Sequence, residues 1–177
     1  HKRPKPTWFT YYLNSEISGY MKILSPSPET TFDLGEKLGS IFEPGDVICL
    51  AGDLGAGKTT MAQAIAAGAG VDQREYVSSP TFAILHEYGG RIPIYHFDFY
   101  RLGSSEDVVE LGLEDYFYGD GLTLIEWYER AADLLPESVL KIELSYIDDL
   151  SREISLYSDS PGWQKKIEDF ENLISRS

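Results

Sequence analysis

The sequence feature that most constrains this chain is a glycine-rich stretch between a predicted strand and a predicted helix. Residues Gly52 to Thr59 read G-D-L-G-A-G-K-T, which matches the spacing G-x-x-x-x-G-K-[ST]. The apolar run Val47 to Ala51 precedes it, and Thr59 to Ala67 has the composition of a helix. In such a loop the backbone N–H groups converge on phosphate oxygens at the positive end of the following helix. This order of strand, loop and helix predicts a phosphate-binding loop (P-loop) in an α/β fold.

The P-loop also predicts contacts to a nucleotide and to a metal ion. Lys58 is expected to reach the β- and γ-phosphates, and the hydroxyl of Thr59 is expected to bind Mg²⁺. The chain has no Asn-Lys-x-Asp or Thr-Lys-x-Asp motif that would read guanine, which argues against a regulatory GTPase. The predicted nucleotide-binding residues of the loop are Asp53, Leu54, Gly55, Ala56, Gly57, Lys58, Thr59 and Thr60.

Composition limits the class of protein. A chain of 177 residues is long enough for one α/β domain, and its net charge of −14 argues against autonomous binding to DNA or RNA. The single cysteine, Cys49, excludes a disulfide within the chain and is expected to be buried. No apolar stretch has the length of a membrane span or the form of a signal peptide, so we expect a soluble cytoplasmic protein.

Hydrophobic periodicity predicts a P-loop NTPase-like α/β fold of three layers. Its central sheet should be mixed and mainly parallel, with an antiparallel hairpin near the carboxyl end. The predicted helices lie at 29–40 and 104–118, besides the helix after the P-loop, and the predicted strands at 91–100, 122–126, 139–147 and 153–157.

Three regions of different composition are predicted. Residues 1–20 form an extension, residues 21–158 the P-loop ATPase domain, and residues 159–177 an amphipathic helix. We expect the apolar stripe of this last helix to pack on the domain; it consists of Trp163, Ile167, Phe170 and Ile174.

Acidic residues end two of the predicted strands. Either Glu126 or Asp98 could bind Mg²⁺, and Asp98 could instead orient or deprotonate an attacking water; the spacing alone does not separate these assignments. Thr81 lies where many P-loop proteins sense the γ-phosphate, although a plain turn residue fits equally well. His96 shares a strand face with Asp98, and Trp127 is expected to pack on the face opposite Glu126.

Taken in order, the motifs resemble the TsaE family of small bacterial P-loop ATPases, also known as YjeE. The spacing agrees from about Ser27 to about Leu156. The matching blocks are the P-loop to Thr60, S-P-T-F at 79–82, Y-H-F-D-F-Y-R-L at 95–102, E-L-G-L at 110–113 and I-E-W at 125–127.

This resemblance implies site roles and partners. It implies that Thr59 and Glu126 bind Mg²⁺, that Thr81 is the switch residue, and that Asp98 is critical for hydrolysis, with Lys58 on the phosphates. The segment at 29–32, including Thr31, would lie near the adenine. The implied function is slow hydrolysis of ATP that resets a complex with the TsaB and TsaD proteins during threonylcarbamoyladenosine modification of tRNA, which the chain would meet only through those partners.

Two other functions fit the same loop. A small-molecule kinase would need a basic lid, whereas Arg and Lys after the P-loop helix are few and scattered. A nucleotide-gated binding module, in which hydrolysis is incidental, is compatible with all the motifs. Residues 1–20 and the tail from Trp163 have no clear counterpart in the family.

Overall fold

The computed structural model describes residues 11–12, 18–72, 74–75 and 77–176. The predicted extension at 1–20 therefore lies outside the described residues except at 11–12 and 18–20. The strands are β1 (Tyr11–Tyr12), β2 (Tyr20–Ser25), β3 (Val47–Ala51), β4 (Leu85–Gly89), β5 (Pro93–Asp98), β6 (Leu122–Glu126), β7 (Leu140–Tyr146) and β8 (Arg152–Tyr157). The helices are α1 (Pro28–Ile41), α2 (Lys58–Gly68), α3 (Ser105–Glu110) and α4 (Pro161–Ser175), with 3-10 segments at Glu114–Tyr118 and Tyr128–Leu134.

All described strands belong to one sheet, in the order β1-β2-β8-β7-β3-β6-β5-β4. The four central strands β7, β3, β6 and β5 run parallel. Antiparallel strands flank them, with β4 beside β5 and the series β8, β2, β1 beside β7. The mixed sheet with a parallel centre is confirmed, and so is the antiparallel hairpin β7–β8.

Side chains of the central strands alternate between two cores, one on each face of the sheet. Ile48 and Leu50 of β3 point to the larger core under α1, α2 and α4, whereas Val47 points to a smaller core under α3 and the 3-10 segments. Helices therefore cover both faces, which confirms the three-layer fold. Cys49 is buried in β3 as expected, and burial raises the pKa of its thiol to about 12.

The residues around α1 and α2 explain where these helices begin and end. The Ser27 hydroxyl caps α1 by accepting a hydrogen bond from the Thr30 amide at 3.2 Å, and Pro28 occupies the first turn. Gly57, with φ of 106°, precedes the first residue of α2. Gly70, with φ of 93°, turns the chain after α2.

Several elements differ from the expectations. Strands β1, β2 and β4 are not predicted, and the strand at 91–100 is the second half of a hairpin, β4–β5. The helix expected at 104–118 ends at Glu110, because Gly112 adopts a φ of 68° and the chain resumes as a 3-10 segment.

The carboxyl-terminal helix packs on the domain. Trp163, Ile167, Phe170 and Ile174 are all buried and belong to the larger core. The Trp163 ring meets Phe42 edge-on, with 5.8 Å between ring centroids. In the part of the chain that the structure describes, no helix combines the length and the apolar character needed to cross a membrane.

Candidate functional site

A cleft of about 1250 Å³ lies at the carboxyl edge of the parallel strands. Parallel strands place their carboxyl ends together, so loops distant in sequence meet at this edge. The lining residues come from the P-loop, the segment before β4, the ends of β5 and β6, and the end of β7. They are Ala51, Gly52, Asp53, Leu54, Gly55, Gly57, Lys58, Thr59, Thr60, Ser79, Thr81, Asp98, Tyr100, Glu126, Trp127, Glu129, Glu143, Leu144, Ser145 and Tyr146.

The P-loop backbone has the shape that its glycines predict. Gly52, Gly55 and Gly57 have φ of 147°, 80° and 106°, a region that side chains other than glycine rarely adopt. A Cβ at Gly52 would lie 2.6 Å from the carbonyl oxygen of Leu144. The Lys58 ammonium donates to the carbonyl of Gly52, inside the curl of the loop. A glycine-lined cradle with an ammonium at the amino end of α2 fits the phosphates of a nucleotide.

Asp98 and Glu126 lie side by side at the bottom of the cleft. Parallel β5 and β6 pair these two residues directly, and both side chains are buried. The Ser79 hydroxyl lies 2.7 Å from Oδ2 of Asp98 and 2.9 Å from Oε2 of Glu126. Thr81 donates to the same Asp98 oxygen at 2.8 Å. The two acids and the two hydroxyls thus form one network.

The Ser79 contacts carry a chemical constraint. A serine hydroxyl has one proton, so Ser79 cannot make a full hydrogen bond to Asp98 and to Glu126 at the same time. Two buried carboxylates that share one donor still offer oxygen atoms and negative charge to a cation. These are the ligands that Mg²⁺ prefers. Thr59 lines the same cleft, so Thr59 and Glu126 together offer oxygen ligands of the right kind for this ion.

His96 is buried behind Glu126. Its Nε2 lies 2.9 Å from Oε2 of Glu126, and its Nδ1 has no hydrogen-bond partner among the described residues. A proton on Nδ1 would lie in an apolar interior without an acceptor, so the geometry makes Nε2–H the donor to Glu126. His96 therefore orients Glu126 and is not among the described residues that line the cleft.

Trp127 occupies the mouth of the cleft and not the packed position expected from its place after Glu126. Its φ of 56° is left-handed, which turns its side chain out of the alternation of β6. The ring lies 5.3 Å from Lys58 Nζ and 4.9 Å from the Tyr100 ring. Trp127 is therefore an aromatic wall beside the P-loop lysine, within cation–π range.

The structure does not bring every candidate residue to the cleft. Thr31 is buried in α1, where its hydroxyl lies 2.7 Å from that of Ser25, because its position in the helix faces β2. Ala56 is also buried, and its amide donates to the carbonyl of Asp53 within the loop. The other predicted nucleotide-binding and catalytic residues all line the cleft.

Ser79 is the main site residue whose role is not evident from the sequence. It belongs to the S-P-T-F block, but only its position beside both carboxylates shows what it does. The one sequence signal for Ser79 is its hydroxyl, two residues before Thr81 in that block.

Comparison with known proteins agrees with this geometry. Residues 25–154 match the model of the family described as "Threonylcarbamoyl adenosine biosynthesis protein TsaE". The chain is 41% identical to the tRNA threonylcarbamoyladenosine biosynthesis protein TsaE of Treponema pallidum over 136 residues, 77% of this chain and 99% of that protein. The protein of the same name from Bacillus subtilis is 40% identical over 136 residues, 76% of this chain and 84% of the relative.

A solved structure is similar as well. The crystal structure of Bacillus subtilis YdiB superposes with a TM-score of 0.76 at 33% sequence identity, covering 88% of this chain and 97% of YdiB. The family match, the relatives and the shared fold lead to one conclusion: this chain belongs to the TsaE family.

Proposed function

We propose that this chain binds and hydrolyses Mg-ATP as the ATPase subunit of threonylcarbamoyladenosine modification of tRNA, and that hydrolysis drives turnover of a TsaB–TsaD complex. Its relatives are named for the biosynthesis of this modified nucleoside. The observation that carries the ATPase part is the meeting of Lys58 and Thr59 with Thr81, Asp98 and Glu126 around one cleft. A P-loop with no acidic partners would bind phosphate without a means of hydrolysing it.

Each side chain has a role that follows from its position. Lys58 neutralises charge on the phosphates, and Thr59 and Glu126 would hold Mg²⁺, which when bound would supply positive charge beside the phosphate oxygens. Asp98 orients the attacking water and accepts its proton, and the products are ADP and phosphate. The Tyr100 amide donates to Oδ1 of Asp98 at 2.9 Å, so the carboxylate is held in one orientation.

Thr81 is the proposed switch residue, and its segment has the features of a two-state element. Ile84, four residues after Pro80, has a φ of 69°, which a β-branched residue rarely adopts. Strain of this kind costs on the order of 1–3 kcal/mol and is common in segments that move. Exchange of the Thr81 hydroxyl from Asp98 to the γ-phosphate would let this segment report the bound nucleotide.

Charge supports contact with tRNA through partners. The chain carries 15 Lys and Arg against 29 Asp and Glu, so its overall field repels a phosphate backbone. We therefore propose that TsaB and TsaD hold the tRNA. A role in tRNA modification also points to the cytoplasm as the compartment.

The test is ATP turnover by the purified chain, alone and with TsaB, TsaD and tRNA. We expect slow turnover alone, an increase with the partners, and loss in Asp98→Asn. Lys58→Ala should fail to bind nucleotide, whereas Asp98→Asn should bind it, because Asp98 acts on the water. Asp115→Asn, at an exposed carboxylate outside the cleft, is the matched control and should resemble the wild type.

Other outcomes assign other functions. Turnover that the partners do not change would contradict the TsaB–TsaD role. Phosphate transfer to a metabolite faster than to water would indicate a kinase. If Asp98→Asn supported tRNA modification as well as the wild type does, the chain would be a nucleotide-gated binding module.

A further inference from the structure

We propose that Arg152 is a positioning residue that holds the P-loop in the shape that binds phosphate. The proposal rests on the proposed nucleotide binding and concerns a residue outside every motif of the sequence. Arg152 is the first residue of β8, 96 positions after Ala56, and it pairs with Tyr146 across the β7–β8 hairpin.

The guanidinium of Arg152 reaches the outer side of the P-loop. Its Nε donates to the carbonyl oxygen of Ala56 at 2.9 Å, and its Nη2 lies 3.4 Å from the carbonyl oxygen of Gly55. A guanidinium is a planar fork of donors, so one side chain can hold two successive peptide groups.

The same group is anchored in the hairpin. Nη1 of Arg152 donates to the carbonyl oxygens of Asp148 at 2.6 Å and Ser151 at 2.9 Å, and the guanidinium lies 4.9 Å from the centre of the Tyr146 ring. The Asp148 carboxylate accepts from the amides of Ser151 and Leu150, which lowers the pKa of Asp148 and closes the turn. The hairpin thus fixes one side of the Arg152 guanidinium, and the other side contacts the P-loop.

Peptide geometry links this contact to phosphate binding. In a trans peptide the C=O and the N–H point in opposite directions. When Arg152 holds the Ala56 carbonyl outward, the N–H of Gly57 is turned inward, and Gly57 lines the cleft. The contact therefore presents an amide donor to the phosphates before they arrive.

The tip of the loop has little other support. Among the described residues, a Cβ placed on Gly55 would meet no atom within 4 Å, and Leu54 is 99% exposed. Glycines at positive φ lose much conformational freedom when they are fixed. If the loop became ordered only on binding, this entropy cost would weaken its affinity for the nucleotide. Arg152 lowers that cost by ordering the loop in the free protein.

The test compares Arg152→Gln and Arg152→Lys with the wild type, using Arg74→Gln as the control at an exposed arginine outside the cleft. ADP affinity is measured by calorimetry on the full chain. We expect Arg152→Gln to weaken ADP binding about tenfold, the scale of one lost hydrogen-bond network. Arg152→Lys should recover part of this loss, since an ammonium keeps the charge but cannot span both carbonyls.

Two further readouts separate positioning from general stability. Amides 53–58 of the nucleotide-free protein should exchange hydrogen faster in Arg152→Gln, while exchange in the core strands is unchanged. KM for ATP should rise while kcat at saturation stays within about twofold of the wild type. Unchanged ADP affinity, or unchanged exchange in the P-loop, would overturn the proposal. If the wild type itself bound no nucleotide, the proposed function would fail, and the exchange rates would still decide the role of Arg152.

Discussion

Ser79 shows how one hydroxyl can serve two carboxylates. Asp98 and Glu126 are each at most 3% exposed, and Ser79 is within hydrogen-bond distance of both. Burial of a carboxylate costs free energy unless hydrogen-bond donors surround it. The donors Ser79, Thr81 and His96 together offset this cost for the pair. The network stabilises the free protein with groups that a cation can replace.

We predict that Ser79→Ala makes the protein more dependent on Mg²⁺ and nucleotide. Loss of this donor should lower the free energy of unfolding in EDTA by about 1.5–3 kcal/mol, the range for a hydrogen bond to a charged group. Because Mg²⁺ at the proposed site would supply positive charge to the same carboxylates, the rise in Tm on adding Mg-ADP should be larger than in the wild type. Thermal unfolding with and without Mg-ADP measures this, with Ser78→Ala as the control. An equal rise in Ser79→Ala and the wild type would contradict the prediction.

At the scale of elements, α1 and α2 pack backbone against backbone. A Cβ at Gly39 would lie 2.0 Å from the carbonyl oxygen of Ile65, and a Cβ at Gly68 would lie 2.0 Å from that of Glu36. Glycine at these positions is a packing requirement, although it weakens a helix. The close contact matters for the site because α2 begins at Lys58.

We predict that Gly39→Ala destabilises the protein, against the helix propensity of alanine. Alanine favours a helix by about 1 kcal/mol over glycine, but overpacking costs roughly 1–3 kcal/mol. The clash here is with a backbone oxygen, which cannot rotate away as a side chain can. The cost of overpacking should therefore exceed the gain in helix propensity, and the free energy of unfolding should fall.

Gly162→Ala in α4 is the matched control for that variant. In the part of the chain that the structure describes, a Cβ at Gly162 would meet only the Ser160 hydroxyl, at 3.9 Å. This change should therefore be neutral or stabilise by up to about 1 kcal/mol. Urea unfolding of the two variants gives the signs directly. A stabilised Gly39→Ala protein would show that α1 can move away from α2 at no cost.

At the scale of the whole molecule, α4 is part of the core and not an appendage. Phe170 is fully buried, and Lys166 of the same helix donates to both carboxylate oxygens of Asp46, at 2.9 and 2.8 Å. Asp46 directly precedes β3, the strand that leads to the P-loop. The last helix therefore contributes to the stability of the scaffold beneath the site.

We predict that Phe170→Ala lowers the free energy of unfolding by about 3–5 kcal/mol, the range for removing a fully buried aromatic ring. Asn172→Ala, at an exposed position of α4, should change it by no more than about 0.5 kcal/mol. Chemical unfolding followed by circular dichroism measures both. A Phe170→Ala protein as stable as the wild type would mean that α4 does not share the core.

Sequence patterns predict the parts of the fold whose signals are local. The P-loop glycines, the buried strands β3 and β6 and the β7–β8 hairpin all have the expected places. Strand β4 is missed because an edge strand is half exposed and carries no clear alternation, and the length of α3 is overestimated because Gly112 is not recognised as its end.

By itself, the sequence determined that this chain has a phosphate-binding loop at the start of a helix, acids at the ends of two buried strands and an apolar stripe on its last helix. Such features depend on residues close together in the chain. Only the tertiary structure decided that Ser79 lies between Asp98 and Glu126, that Trp127 faces Lys58, that Thr31 faces Ser25 and that Arg152 holds the P-loop. These contacts depend on strand register and on single backbone dihedrals, such as the φ of 56° at Trp127, which no local pattern specifies.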